Sequence, residues 1–216
     1  AERNMKTGVS SLYFMSLSSE EMIYACLAII LIVTIGCGFT RFFALSFAHP
    51  PPEEGVDFDY NAFNPITNLD IVGLIVFFAG GFGWGRQVND QEIRFTKQKL
   101  GWFIISLIAP FASIVVALTV AFVQQTFWTD RVVEILVEVS ITVSAYHLLP
   151  IPPLASSRLL YLLVPLGHER VWRLYSKAGP FIILAIVLFD RFSGIPFLRE
   201  AMAPVIDAIG RFAAYH

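Results

Sequence analysis

The sequence predicts an all-α polytopic membrane protein: about four transmembrane helices, a short re-entrant or hairpin element and a C-terminal amphipathic helix. Three observations predict it. The chain of 216 residues is 56% hydrophobic and 15% charged, with a mean hydropathy of +0.66; an average soluble domain carries about 25% charged residues. Several apolar runs reach the ~20 residues that a helix needs to cross a bilayer. The chain holds 20 phenylalanines and 12 prolines, a composition that suits lipid contact and interrupted helices. The net charge of -2 gives no sign of a nucleic-acid partner.

The elements follow in order within a single membrane domain, residues 1–216. Residues 1–19 are a polar tail, and Ser18 or Ser19 can cap a helix with Glu20 and Glu21 in its first turn. Residues 22–47 form the first span, too long for a signal peptide and wrongly flanked for one. Its one charge, Arg41, lies near the far end and snorkels to the interface. Cys26 and Cys37 share this helix about 16 Å apart and cannot bridge each other. Residues 48–70 are a proline-rich acidic loop whose carboxylates lack calcium-loop spacing and read as solvated.

Residues 71–84 are apolar but too short to span, with a Gly-Gly hinge, and read as re-entrant or as a hairpin. Residues 86–99 are a basic aqueous loop. Residues 100–123 form the second span and 132–149 the third. The third contains Glu134 and Glu138, four apart on one face. A carboxylate inside a membrane helix is a functional candidate, so Glu138 is taken as a partner-binding residue; the plainer alternative is a carboxylate at the start of the helix facing water or a neighbour.

The chain is organised around His147 to Leu160. Pro150, Pro152 and Pro153 stop the third span, because proline lacks an N–H and pushes the preceding residue out of the α region. The backbone beyond them is extended yet still apolar. Non-helical backbone at a membrane is tolerated where protein buries it or where it lines a cavity, which makes Pro150, Pro152, Pro153 and Ser156 partner-binding candidates. A basic, aromatic interfacial helix follows at residues 168–177, then a short fourth span at 180–193. Residues 196–216 form the amphipathic helix, lying on a membrane surface or a partner. The basic residues place the larger loops, 84–99 and 150–178, in the cytoplasm.

Four stretches in this order resemble the site-2 protease family of intramembrane zinc metalloproteases. Asn64-Pro65-Ile66-Thr67-Asn68-Leu69-Asp70-Ile71-Val72-Gly73 resembles the family's Asn-Pro and Asp-Pro-x-Gly segment. Phe82-Gly83-Trp84-Gly85-Arg86-Gln87-Val88-Asn89 is similar to its Gly-Trp-Ala-Lys-Pro-Val element. Ala109-Pro110-Phe111-Ala112-Ser113 is similar to its Ala-Gly-Pro-x-x-Asn. The most specific stretch is His147-Leu148-Leu149-Pro150-Ile151-Pro152-Pro153-Leu154-Ala155-Ser156-Ser157-Arg158, beside the family's Asn-Leu-Leu-Pro-Ile-Pro-Pro-Leu-Asp-Gly-Ser-Arg.

The resemblance implies a His-Glu-x-x-His helix, with two histidines on zinc and the glutamate as general base, and a third ligand from an aspartate. The sequence contains no His-Glu-x-x-His. Aligning the first helix through Ala44 sets Gly36, Cys37 and Thr40 where that motif would lie, and Ala155 stands at the aspartate position. The expectation is therefore a pseudoprotease without zinc: a structural or accessory subunit of a larger membrane complex, with lipid and partner transmembrane subunits around it. A regulator or chaperone of membrane substrates is an alternative. Another is a cofactor-bearing subunit in which His147 ligates haem or chlorophyll.

Overall fold

The computed structural model describes residues 17–49, 60–88, 93–127, 130–164 and 169–214. Most of the expected polar tail and the acidic part of the 48–70 loop lie outside the described residues.

Helix α1, Ser19–Ser46, starts at a capping box. Ser18 Oγ accepts from the Glu21 amide at 3.2 Å, and Glu21 Oε2 accepts from the Ser18 amide at 2.9 Å. A 3-10 turn, Tyr60–Phe63, leads to α2, Pro65–Asn68, which Asn64 caps ahead of a proline in the first turn. Asp70 caps α3, Ile71–Gly80, by accepting from the Gly73 amide at 2.9 Å. Gly81, at φ 79°, closes α3 in the left-handed region. The chain then runs extended from residue 82 to 88, with an isolated antiparallel bridge between Leu69 and Gly85. The remaining helices are α4 (Gln98–Thr126), α5 (Arg131–His147), α6 (Ser157–Tyr161), α7 (Glu169–Ser193) and α8 (Phe197–Ala214). No strand forms among the described residues.

Among the described residues, three helices are long and apolar enough to cross a membrane: Ser19–Ser46, Gln98–Thr126 and Arg170–Ser193. That is fewer than the four expected. Helix α5, expected as a span, has 17 residues and carries Glu134 and Glu138. The last span is longer than expected. The interfacial stretch and the 180–193 run are one helix of 25 residues, and Pro180 lies inside it. Proline breaks an exposed helix, but inside an apolar one its neighbours can re-satisfy the freed carbonyl.

Helices α1, α4 and α5 pack against one another. On one side Ala25, Ile29, Ile32 and Val33 of α1 meet Phe77 of α3 and Ile135, Val139 and Val143 of α5. On the other, Ala117 and Ala121 of α4 and Ile141 and Ala145 of α5 share a cluster with Ile183, Val187, Met202 and Ile206. The amphipathic α8 thus buries its apolar face on protein. Its first turn is held where the Leu198 amide donates to Asp190 Oδ2 at 2.8 Å. Its last turn is held where Gln125 Nε2 donates to the Ala213 carbonyl at 3.3 Å. Asp190 and Gln125 close α7 and α4 at the same end of the bundle, so α8 lies across that end.

The stretch from residue 60 to 88 is packed beside the interior of α1. A side chain at Gly38 would meet the Ala62 carbonyl at 3.0 Å, and one at Gly85 would meet Cys37 Sγ and Val33 Cγ1 at 2.5 Å. Val33 and Gly38 precede the end of α1 by 13 and 8 residues, or roughly 20 and 12 Å. Irregular backbone therefore runs deep alongside a helix that can span, enclosed by protein as such backbone must be.

Candidate functional site

Three pieces of chain converge: the second half of α1, the extended residues 82–88, and the turn from His147 through the proline loop to Arg158. Gly85 pairs with Leu69, and the Arg86 amide donates to the Asn68 carbonyl at 2.7 Å. Phe82 stacks on Tyr146 with ring centroids 3.8 Å apart and planes within 3°. His147 ends α5 and is buried. Its Nε2 lies 3.3 Å from the Gly83 carbonyl, and its own carbonyl accepts from the Ser156 amide at 3.1 Å. Gln87 Nε2 donates to the Pro153 carbonyl, and the Arg158 guanidinium donates to the Val88 carbonyl. Arg158 also sits 4.1 Å over the Trp102 ring. The extended segment is therefore tied to the proline loop along its length.

Helix α7 backs the loop from outside. Tyr175 Oη donates to the Pro150 carbonyl at 2.9 Å. Gly179 packs so closely on Pro152 that a β-carbon would collide with its carbonyl. The Pro152–Pro153 peptide bond is cis.

The positions singled out in the sequence separate. Pro150 is exposed, Pro153 is half-buried, and Pro152, Ala155 and Ser156 are buried in the loop. Cys37 faces Gly85, so it and His147 reach neighbouring points of one extended segment. Thr40 Oγ1 donates to the Gly36 carbonyl within its own helix at 2.7 Å. Gly36 abuts Ala109 of α4, at 3.6 Å from a would-be β-carbon. Glu138 belongs elsewhere. It lies 3.9 Å from Arg131, which also pairs with Glu21 of α1 at 2.7 Å and Glu134 at 3.0 Å. That cluster joins the start of α5 to the start of α1.

Gln87 and Arg158 lie within stretches that carry the resemblance, and Tyr175 and Gly179 outside them; none is a candidate site residue from sequence, yet all four fix the loop. Their only local signal is polar or small residues within apolar or motif-bearing runs. Three buried polar atoms here or on α1 find no hydrogen-bond partner among the described residues: His147 Nδ1, Ser156 Oγ and Thr34 Oγ1. A haem or chlorophyll on His147 would have to take Nδ1, because Nε2 faces Gly83. No group of three His, Cys, Asp or Glu among the described residues is placed to hold a metal ion. These residues do not fit a tetrahedral zinc site.

No family model matches the chain, and no solved structure matches it significantly. Among curated proteins it is 29% identical over 139 residues to the Bacillus subtilis (strain 168) protein named "Putative zinc metalloprotease YwhC". The match covers 58% of this chain and 63% of the relative, just under two thirds of the relative's length. It corrects the expectation that the chain is not an enzyme: the relative bears a metalloprotease's name, so the similarity points to a protease. The missing His-Glu-x-x-His does not by itself mean loss of activity: a missing motif locates no active site and excludes none. The likeness and the four sequence stretches point the same way, toward a site-2 protease-like integral membrane protein.

Proposed function

We infer that this membrane protein receives a transmembrane segment of a partner protein, locally unwound, where the 82–88 segment, the His147 turn and the proline loop meet. The observation that carries the reading is the extended backbone from Phe82 to Val88, set beside the interior of α1 and tied to the proline loop at Gln87 and Arg158. Such backbone is tolerated in a membrane where protein encloses it or where it lines a cavity, and exposed Gln87 and Pro150 mark where an entering segment would meet it. The relative's name carries proteolysis to this chain as the activity to expect on such a segment. Capture of the segment is the step that this chain's own residues support. The protein then works within a membrane assembly whose other members supply the segment.

Photo-crosslinking tests this. Probes belong at exposed Gln87 and Pro150, with exposed Phe111 on α4 as the control position. The expected result is an adduct at Gln87 and Pro150 that maps to an apolar segment of another membrane protein, and lipid alone at Phe111. Lipid adducts alone at all three positions would refute the reading.

A further inference from the structure

The first turns of α7 carry two exposed stripes. Arg170, Arg173 and Lys177 recur at helical spacing on one face, all exposed. Beside them Val171, Leu174 and Phe181 are 63%, 72% and 68% exposed. The opposite face of the helix is committed to protein, through Trp172, Gly179, Ile183 and Val187. Tyr161, Trp172 and Tyr175 form a short aromatic band at the same level, with successive ring centroids 5.4 and 6.1 Å apart. Nearby Lys99 is engaged otherwise, donating to the carbonyls of Leu162 and Val164 at 3.1 and 3.2 Å. The adjacent carboxylate is Glu169, whose side chain lies outside the described residues.

Depth decides what such a surface meets. The next charged residue along the helix is Asp190, which follows Lys177, Arg173 and Arg170 by 13, 17 and 20 residues. Those separations are about 20, 26 and 30 Å at a rise of 1.5 Å per residue, against a hydrocarbon core about 30 Å thick. With Asp190 at one boundary, the three cations straddle the opposite headgroup level, and Lys177 snorkels outward to reach it.

We propose that Arg170, Arg173 and Lys177 of α7 bind the phosphates of anionic phospholipids, while Val171, Leu174 and Phe181 receive their acyl chains. Both stripes are needed for the identification. An acidic soluble segment would satisfy the cations and leave three apolar side chains in water. A neutral lipid would cover the apolar stripe and leave the cations without a counter-charge. Each basic residue near an anionic leaflet strengthens binding severalfold.

The test uses the full chain in mixed micelles of phosphatidylglycerol and phosphatidylcholine, with the retained lipid ratio read by mass spectrometry after washing. Phosphatidylglycerol should be enriched. The variant Arg170→Gln/Arg173→Gln/Lys177→Gln should lower the enrichment about threefold or more. Arg170→Lys/Arg173→Lys should keep it, as should Arg199→Gln/Arg211→Gln at the other end of the bundle. Lys177→Gln alone gives a smaller loss and serves if the triple variant does not fold. Equal ratios in wild type and the neutral variants would overturn the proposal. So would loss of enrichment on adding inorganic phosphate, or an acidic peptide bound by the stripe without lipid enrichment.

Discussion

The imidazole of His147 lies 3.3 Å from the Gly83 carbonyl, and this contact couples the last turn of α5 to the extended segment 64 residues earlier. The proline loop begins three residues after His147 and is tied to the same segment at Gln87 and Arg158. His147→Ala should leave a buried carbonyl without a donor and cost about 1–3 kcal/mol. Thermal unfolding in detergent measures it. Asn at this position keeps a donor and should recover part of the loss.

Glycines at the crossing provide a sharper test of the packing. A β-carbon at Gly85 would meet Asn68 O, Cys37 Sγ and Val33 Cγ1, all at 2.5 Å. At Gly36 the nearest atoms, all of Ala109, stand 3.6–3.8 Å away, which is ordinary contact. Gly85→Ala should therefore destabilise by about 1–3 kcal/mol through overpacking, while Gly36→Ala should be close to neutral. Similar losses for both variants would show that the 82–88 segment does not cross α1 where described.

Helix α8 depends on a carboxylate from another helix. Asp190 Oδ2 accepts from the Leu198 amide at 2.8 Å, in the first turn of α8. Asp190→Ala removes this cap and should cost about 1 kcal/mol. Limited proteolysis should then cut the α7–α8 connection, near Gly194, sooner than in the wild type. An unchanged cleavage rate would mean that the buried face of Met202 and Ile206 alone holds α8 in place.

Arg131 sits among three carboxylates, Glu21, Glu134 and Glu138, and its side chain is 44% exposed. Pairs of this exposure contribute at most about 1 kcal/mol and weaken with salt. Arg131→Gln should thus lower stability by no more than that at low salt, with the difference shrinking as salt is added. A loss that salt does not change would assign Arg131 a packing role instead.

What the sequence made legible was local. The Ser18 cap sits beside Glu20 and Glu21, and the proline run stops α5 at His147, so both could be read from neighbours in the chain. The length of α7 could not, because Pro180 looks the same whether it starts a helix or lies inside one whose surroundings tolerate it. The apolar stripe of α8 was visible, but lipid and protein ask for the same stripe, and only the structure shows Met202 and Ile206 within the bundle's core. The pairing of Glu21 with Arg131 joins residues 110 apart and leaves no local signal. At the candidate site, the proline loop was legible as a place, whereas its ties to Gln87 and its backing by Gly179 depend on long-range packing.

The depth of the irregular stretch is the foundation of the site, and a label at Ile66 measures it most directly. Ile66 is 82% exposed on α2, between Ala62 and Asn68, which pack at the level of Gly38 and Val33 of α1. A spin label at Ile66, in a chain with Cys26 and Cys37 replaced and reconstituted in bilayers, should be reached readily by oxygen and poorly by a water-soluble relaxant, matching a label at Phe39. Accessibility to the water-soluble relaxant like that of a label at Lys97 would put the stretch outside the membrane and contradict the account.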